Sequence, residues 1–184
     1  MAGKLQFQFD AEKFANAVAY LAQALPGSTK MTICKQLYLA DKAHLLRYGR
    51  PVIGDRYYKL PHGPVPSRGL NLLRGKGDAA ERALLNQFVS VLGNSVHPKQ
   101  AANRKAFSRS DLEVLDEVIE KYGKWTASAL RTETHAQAPW RETADSCAID
   151  YELFFEGHPE AKEVKDLAEA EQESRDLLRP YVSR

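Results

Sequence analysis

Residues 35–67 read KQLYLADKAHLLRYGRPVIGDRYYKLPHGPVPS, and the fold is decided by how this stretch divides. Its first part has helical spacing, with Cys34, Leu37, Tyr38, Leu45 and Tyr48 on one side and Gly49 placed to supply a left-handed stop. Asp41 falls on that apolar side, four residues after Leu37 and four before Leu45, and His44 follows three residues later. The second part spends its glycines and prolines on shape. Arg50-Pro51-Val52-Ile53 is expected to be extended, Gly54-Asp55 to turn, and Arg56 to Leu60 to form a short strand with mixed faces. Pro61, Gly63, Pro64 and Pro66 then predict a stiff, irregular loop over His62–Pro66, and a stiff loop loses little entropy when it binds a partner.

An aspartate on a buried helix face requires hydrogen-bonding or cationic partners. His44 is within reach of Asp41, and two readings follow. The pair could do acid-base chemistry, since a carboxylate can fix the tautomer of a histidine that titrates near neutrality. The alternative is a polar clasp that holds the following loop, built from Tyr38, Asp41 and His44, with His135 covering it and Trp140 closing the core beside it. The clasp is the preferred reading, because no nucleophile, phosphate loop or metal motif accompanies the pair.

Working outward, Asp10 caps a helix carrying Phe14, Val18, Leu21 and Leu25, which Pro26-Gly27 ends, and Ser28 or Thr29 caps the helix containing Asp41. On the other side, a short helix bearing Leu70, Leu72 and Leu73 is weakened by Gly69. Asp78 with Glu81 caps a helix reaching toward Leu92 and Gly93-Asn94. The basic stretch His97–Arg109 is expected to contain an edge strand pairing with Tyr57–Leu60. Ser108 and Ser110 compete to cap the best-marked helix, which buries Leu112, Leu115, Val118, Ile119 and Tyr122. A shorter helix runs from Thr126 to Thr134, a proline turn holds His135 and Trp140, and an aromatic half-helix at residues 151–155 precedes a charged helix ending near Leu178. The expected fold class is mainly α with a small antiparallel β element (α+β). Residues 1–148 form a compact helical domain, and residues 149–184 a C-terminal helical extension packed on it.

A chain of 184 residues with 43% hydrophobic content can bury one core without metal or disulfide support. Cys34 and Cys147 are far apart and read as reduced packing residues. No apolar run approaches a membrane span and the first residues lack a signal-peptide pattern, so the chain reads as cytoplasmic, with no membrane partner. Charge is polarised: residues 1–110 hold 17 Lys+Arg against 6 Asp+Glu, and residues 111–184 hold 9 against 18. Such asymmetry can steer a charged partner or neutralise itself when the halves pack together.

An ordered set of motifs, Leu-Tyr-x-Ala-Asp from Leu37, Tyr-Gly-Arg-Pro-x-x-Gly-Asp from Tyr48, Gly-Pro-Val-Pro from Gly63 and Thr-His-x-x-x-x-Trp from Thr134, resembles the Panacea domain, the SocA-like antitoxin domain of bacteria and their phages. The resemblance runs from about Phe14 to Glu142. It implies a mainly helical domain with a small strand element that neutralises a cognate protein toxin by direct contact, with no cofactor, metal or catalytic residue. One type in that family acts instead as an adaptor that hands its toxin to a housekeeping protease. The family pattern falls on Leu37, Tyr38, Asp41, His44, Tyr48, Gly49, Arg50 and Pro51, then on Gly54, Asp55, Tyr57, Gly63, Pro64, Val65 and Pro66, and finally on His135 and Trp140. Gly69 and the tail after Asp145 depart from it.

The leading expectation is therefore an antitoxin whose partner-binding residues are Arg50, Asp55, Arg56, Tyr57, His62, Gly63, Pro64, Val65 and Pro66, with acidic residues after Asp111 available to a basic toxin cleft. Operator binding through Lys99, Arg104, Lys105 and Arg109, with Arg47, Arg50, Arg56 and Arg68, is the nucleic-acid alternative, disfavoured by the lack of helix-turn-helix spacing. A metal or hydrolytic site from Asp41, His44 and His135 is the enzyme alternative, and its spacing is too common to mark a site.

Overall fold

A helix that buries polar as well as apolar side chains lies inside a protein, and the helix of the deciding stretch does so. In a computed structural model, which describes residues 5–182, helix α2 (Lys30–Tyr48) is buried continuously from Ile33 to Asp41 and again at His44 and Leu45. Buried Lys35 and Gln36 make it a central helix rather than the one-sided helix its leucine spacing predicts. Thr29 and Thr32 cap it reciprocally, and Gly49, at φ 69°, ends it. Residues 1–4 and 183–184 of the two expected units, 1–148 and 149–184, lie outside the described residues.

Helix α1 (Ala11–Ala24) begins at Asp10, whose side chain accepts the Lys13 N–H at 2.9 Å, and it buries Phe14, Val18 and Leu21. After α2 the chain forms β1 (Tyr57–Leu60) and β2 (Gly63–Pro66), an antiparallel hairpin pairing Tyr57 with Pro66 and Leu60 with Gly63. The stiff loop expected over His62–Pro66 is thus a strand from Gly63 onward. The prolines permit this because Ser67 N–H donates to Arg56 C=O at 3.0 Å. Counting in twos along the antiparallel ladder then puts the N–H groups of Val65 and Gly63 toward β1, and Pro64 and Pro66 where none is needed.

Helix α3 (Ser67–Leu73) leads to α4 (Ala79–Phe88), capped by Asp78. The expected continuation of α4 toward Leu92 is not observed. Val89–Leu92 is β3, and it turns at Gly93-Asn94 into β4 (Ser95–Pro98), so the β-branched valines form a hairpin of their own. The expected pairing of the basic stretch with Tyr57–Leu60 is overturned for the same reason. The outer edge of β1 is instead covered by residues 146–149, with Lys59 N–H donating to Cys147 C=O at 3.0 Å and Ile149 N–H to Tyr57 C=O at 2.8 Å.

Of the competing caps, Ser108 starts α5 (Arg109–Tyr122), in a reciprocal arrangement with Asp111. Then come α6 (Ala127–His135), the single turn α7 (Ala138–Arg141), a 3-10 helix at Tyr151–Phe155 and α8 (Ala161–Val182). Helix α8 crosses the C-terminal end of α2. Ala168 is fully buried there, and a Cβ on Gly49 would lie 2.8 Å from Leu167 Cγ. The protein is mainly helical with two small antiparallel sheets, the fold class its sequence predicts.

Candidate partner-binding surface and the polar groups beneath it

Asp41 has no exposure, and four donors meet its carboxylate. The N–H groups of Val52 and Ile53 each donate to Oδ1 at 2.9 Å. The Gly54 N–H and the Tyr57 hydroxyl donate to Oδ2 at 3.3 and 3.0 Å. Burial pushes the carboxyl up to about 7, with the Ile53, Tyr57 and Val52 hydrogen bonds opposing that rise. Asp41 is therefore the anchor of the 51–57 segment. Its expected partner His44 is engaged elsewhere, because the backbone of the turn reaches the carboxylate first.

His44 donates from Nδ1 to Arg50 C=O at 2.6 Å, and its Nε2 lies 3.0 Å from Ser110 Oγ and 3.2 Å from Asp111 Oδ1. Burial, aided by the Arg50 charge, pushes the imidazole down to about 4, so it is neutral at physiological pH. Asp111 is a polar residue the sequence reading missed as a site member. It is fully buried, pairs with Lys13 Nζ and Arg50 Nη1 at 2.8 Å each, and accepts the Ser108 N–H at 2.9 Å. Burial works to raise its carboxyl, but those donors outweigh it and hold the group at about 2. The Ser108-x-x-Asp111 spacing was the available signal. Arg50, expected to contact a partner, is bound to Asp111 and Ser108 with only 17% of its side chain exposed.

Asp55 anchors the far end of the hairpin. Its carboxylate accepts N–H bonds from Arg56, Arg68 and Gly69 at 2.7, 3.2 and 2.7 Å, which serves the first turn of α3, and burial raises it to about 6 against those bonds. Gly69 is required there because a Cβ would collide with the buried Phe14 ring. Tyr57 packs edge-on against Tyr38 at 5.3 Å.

At the tip, the ammonium of fully buried Lys35 donates to His62 C=O, directly behind Gly63 at φ 113°. Burial lowers Lys35 to about 8. His135 does not cover Asp41. It stacks on Trp140 at 3.7 Å, while the Trp140 indole N–H donates to Leu60 C=O at 3.1 Å and Lys59 Nζ sits 4.4 Å over the same ring. The expected single clasp is therefore three separate supports. The turn is held by Asp41, the Arg50 segment by His44 with Asp111, and the hairpin by His135 with Trp140, because α6 and α7 pack on the hairpin side of α2. Tyr38 joins the third group by donating to Gln137 Oε1 at 3.1 Å.

Of the nine expected contact residues, Asp55, Tyr57, Gly63, Pro64, Val65 and Pro66 are buried, and Arg56 and His62 are exposed. Among the described residues no group of three His, Cys, Asp or Glu side chains is placed to hold a metal, and no helix is long and apolar enough to cross a membrane.

The family model for the SocA-like antitoxin, Panacea domain, matches residues 33–141, from the first turn of α2 to the end of α7. Comparisons with curated proteins and with solved structures return no match. The matched segment holds Asp41, His44, Asp55, the β1–β2 hairpin, Asp111 and the His135–Trp140 stack, and it spans more than half of the chain, which therefore belongs to the SocA-like antitoxin Panacea domain family.

Proposed function

We propose that this protein neutralises a cognate protein toxin by direct contact, through the exposed side of the β1–β2 hairpin. The observation that carries the reading is how the buried polar groups are used. Asp41, Asp55 and Lys35 direct their hydrogen bonds at residues 50–69, and the pair His44–Asp111 holds Arg50 of that segment besides bonding Lys13, Ser108 and Ser110. They fix one surface segment and leave Arg56, Pro61 and His62 in solvent. A segment fixed beforehand loses less entropy on association, as a recognition surface requires. The antitoxin family points to a stoichiometric role rather than a catalytic one. Acidic side chains of α8, Glu163 and Asp166 among them, are also exposed and available to a basic toxin cleft.

The test is co-expression with the product of the neighbouring reading frame, reading growth and co-purification. The proposal expects rescue of growth together with a stable complex. Rescue that requires a housekeeping protease, with falling toxin levels, would replace direct blocking with the adaptor reading. A lack of both rescue and complex would refute the proposal.

A further inference from the structure

Beside the hairpin tip lies a cleft of about 300 Å³ between the start of α2, the β1–β2 turn and α3. Its floor is apolar, formed by Cys34, Leu60, Val65 and Leu70. The thiol belongs to that floor chemically, because burial pushes it up to about 12. Its rim carries Lys30, His62 and Arg74, and no carboxylate lines it. The side chains of these three residues have no hydrogen-bond or ion-pair partner among the described residues. This contrasts with Arg47, Arg50, Arg68 and Lys13, each of which is paired with an acid. The positive end of the 19-residue helix α2 faces the same cleft, with no acidic residue in its first turn. Lys35 fixes the His62 carbonyl from behind, so the rim is preorganised.

We infer that this cleft receives an acidic, extended segment of the toxin, with one apolar side chain on the floor and flanking carboxylates on Lys30 and Arg74. This rests on the proposed toxin-binding role and names the chemistry recognised. Unpaired cations around an apolar hollow match an acidic segment with an apolar anchor, since the apolar contact supplies affinity and the charges set orientation. A nucleic-acid strand fits less well, because no Phe, Tyr or Trp ring lines the cleft to stack a base and the cations converge on a hollow rather than following a stripe. The chain's own α8 is not the occupant within one molecule. It crosses the far end of α2, which at 1.5 Å per residue lies roughly 28 Å away.

The test has two arms, both with the full chain. First, the ¹⁵N-labelled protein is titrated with a blocked Glu-Asp-Leu-Glu-Asp peptide and with its Lys-Lys-Leu-Lys-Lys counterpart. The acidic peptide should shift the amides of Lys30, Met31, Leu60, His62 and Arg74 and weaken with salt, and the basic one should not. No shift at these positions, or equal shifts from both peptides, would overturn the inference. Second, the double variant Lys30→Glu with Arg74→Glu should melt like the wild type, because neither side chain is paired. It should bind the toxin about 10- to 100-fold more weakly, as like charges are brought together. Undiminished binding by the variant would overturn the inference while leaving the antitoxin role intact. If the wild type itself bound no toxin, the role would fail and the peptide arm would still decide the chemistry of the cleft.

Discussion

Replacing Asp41 with alanine should cost stability before it costs anything else. The substitution strands three backbone N–H groups, from Val52, Ile53 and Gly54, and the Tyr57 hydroxyl in a region without solvent exposure. Each buried donor left unpaired costs about 1–3 kcal/mol, so four give a loss of about 4 kcal/mol at the low end. That approaches the whole stability of a typical domain, about 5–15 kcal/mol. Asp41→Asn should be milder, since its oxygen can keep the Val52 and Ile53 bonds and the Tyr57 hydroxyl can turn to accept, leaving one donor stranded at about 1–3 kcal/mol. The wild-type carboxyl titrates near 7 when folded and near 3.8 when unfolded, so the folded protein binds the extra proton between those values. Wild-type stability from this group therefore falls as pH rises from 3.8 to 7, and its advantage over the asparagine variant should shrink across that window. Denaturant unfolding of the three proteins at several pH values, with growth rescue measured in parallel, is the assay. An alanine variant that melts like the wild type yet fails to rescue would refute the reasoning and move Asp41 from support to function.

Arg56→Ala and His62→Ala should leave melting unchanged and weaken toxin binding by about 1–2 kcal/mol each, measurable by calorimetry. Gly69→Ala should destabilise by roughly 1–3 kcal/mol, because its methyl group overpacks against Phe14, and the unfolding midpoint will show it. His44→Asn keeps a donor for the Arg50 carbonyl and cannot titrate. Folded His44 resists protonation down to about 4, against 6.5 when unfolded, so wild-type stability drops as pH falls through that window and its lead over His44→Asn should narrow there. Reversing the charges of Glu160, Glu163, Asp166 and Glu169 together should leave folding intact and weaken rescue, and unchanged rescue would exclude α8 from the contact.

How far the sequence discloses this arrangement depends on the range of each interaction. The helix carrying Asp41 was legible from Thr29 to Gly49 because caps and stop signals are local, and a polar residue on its apolar side marked a buried anchor. The partners of Asp41 were not legible, since the choice between His44 and the 52–54 backbone depends on where the turn folds back. Asp111 was missed because its partner Arg50 is 61 residues away, although the capping pattern with Ser108 was in view. The prolines of Gly63–Pro66 count against a strand and predict an irregular loop, whereas alternation with Gly63 and Val65 leaves every required N–H in place. Gly69 looked like a weakness of α3 and is a close approach to Phe14, a contact with no local trace. The sequence puts His135 over the Asp41 clasp and Trp140 at the core edge, and shows nothing of their stacking on each other, by which they clamp the hairpin and not the Asp41 carboxylate.

The central claim, direct toxin contact through the exposed side of the β1–β2 hairpin, is tested most directly by hydrogen–deuterium exchange on the full chain with and without its toxin. The account predicts new protection across residues 56–62 and at the start of α2, with the already buried Asp41 turn little changed. A complex that protects other surfaces while residues 56–62 exchange as in the free protein would contradict it.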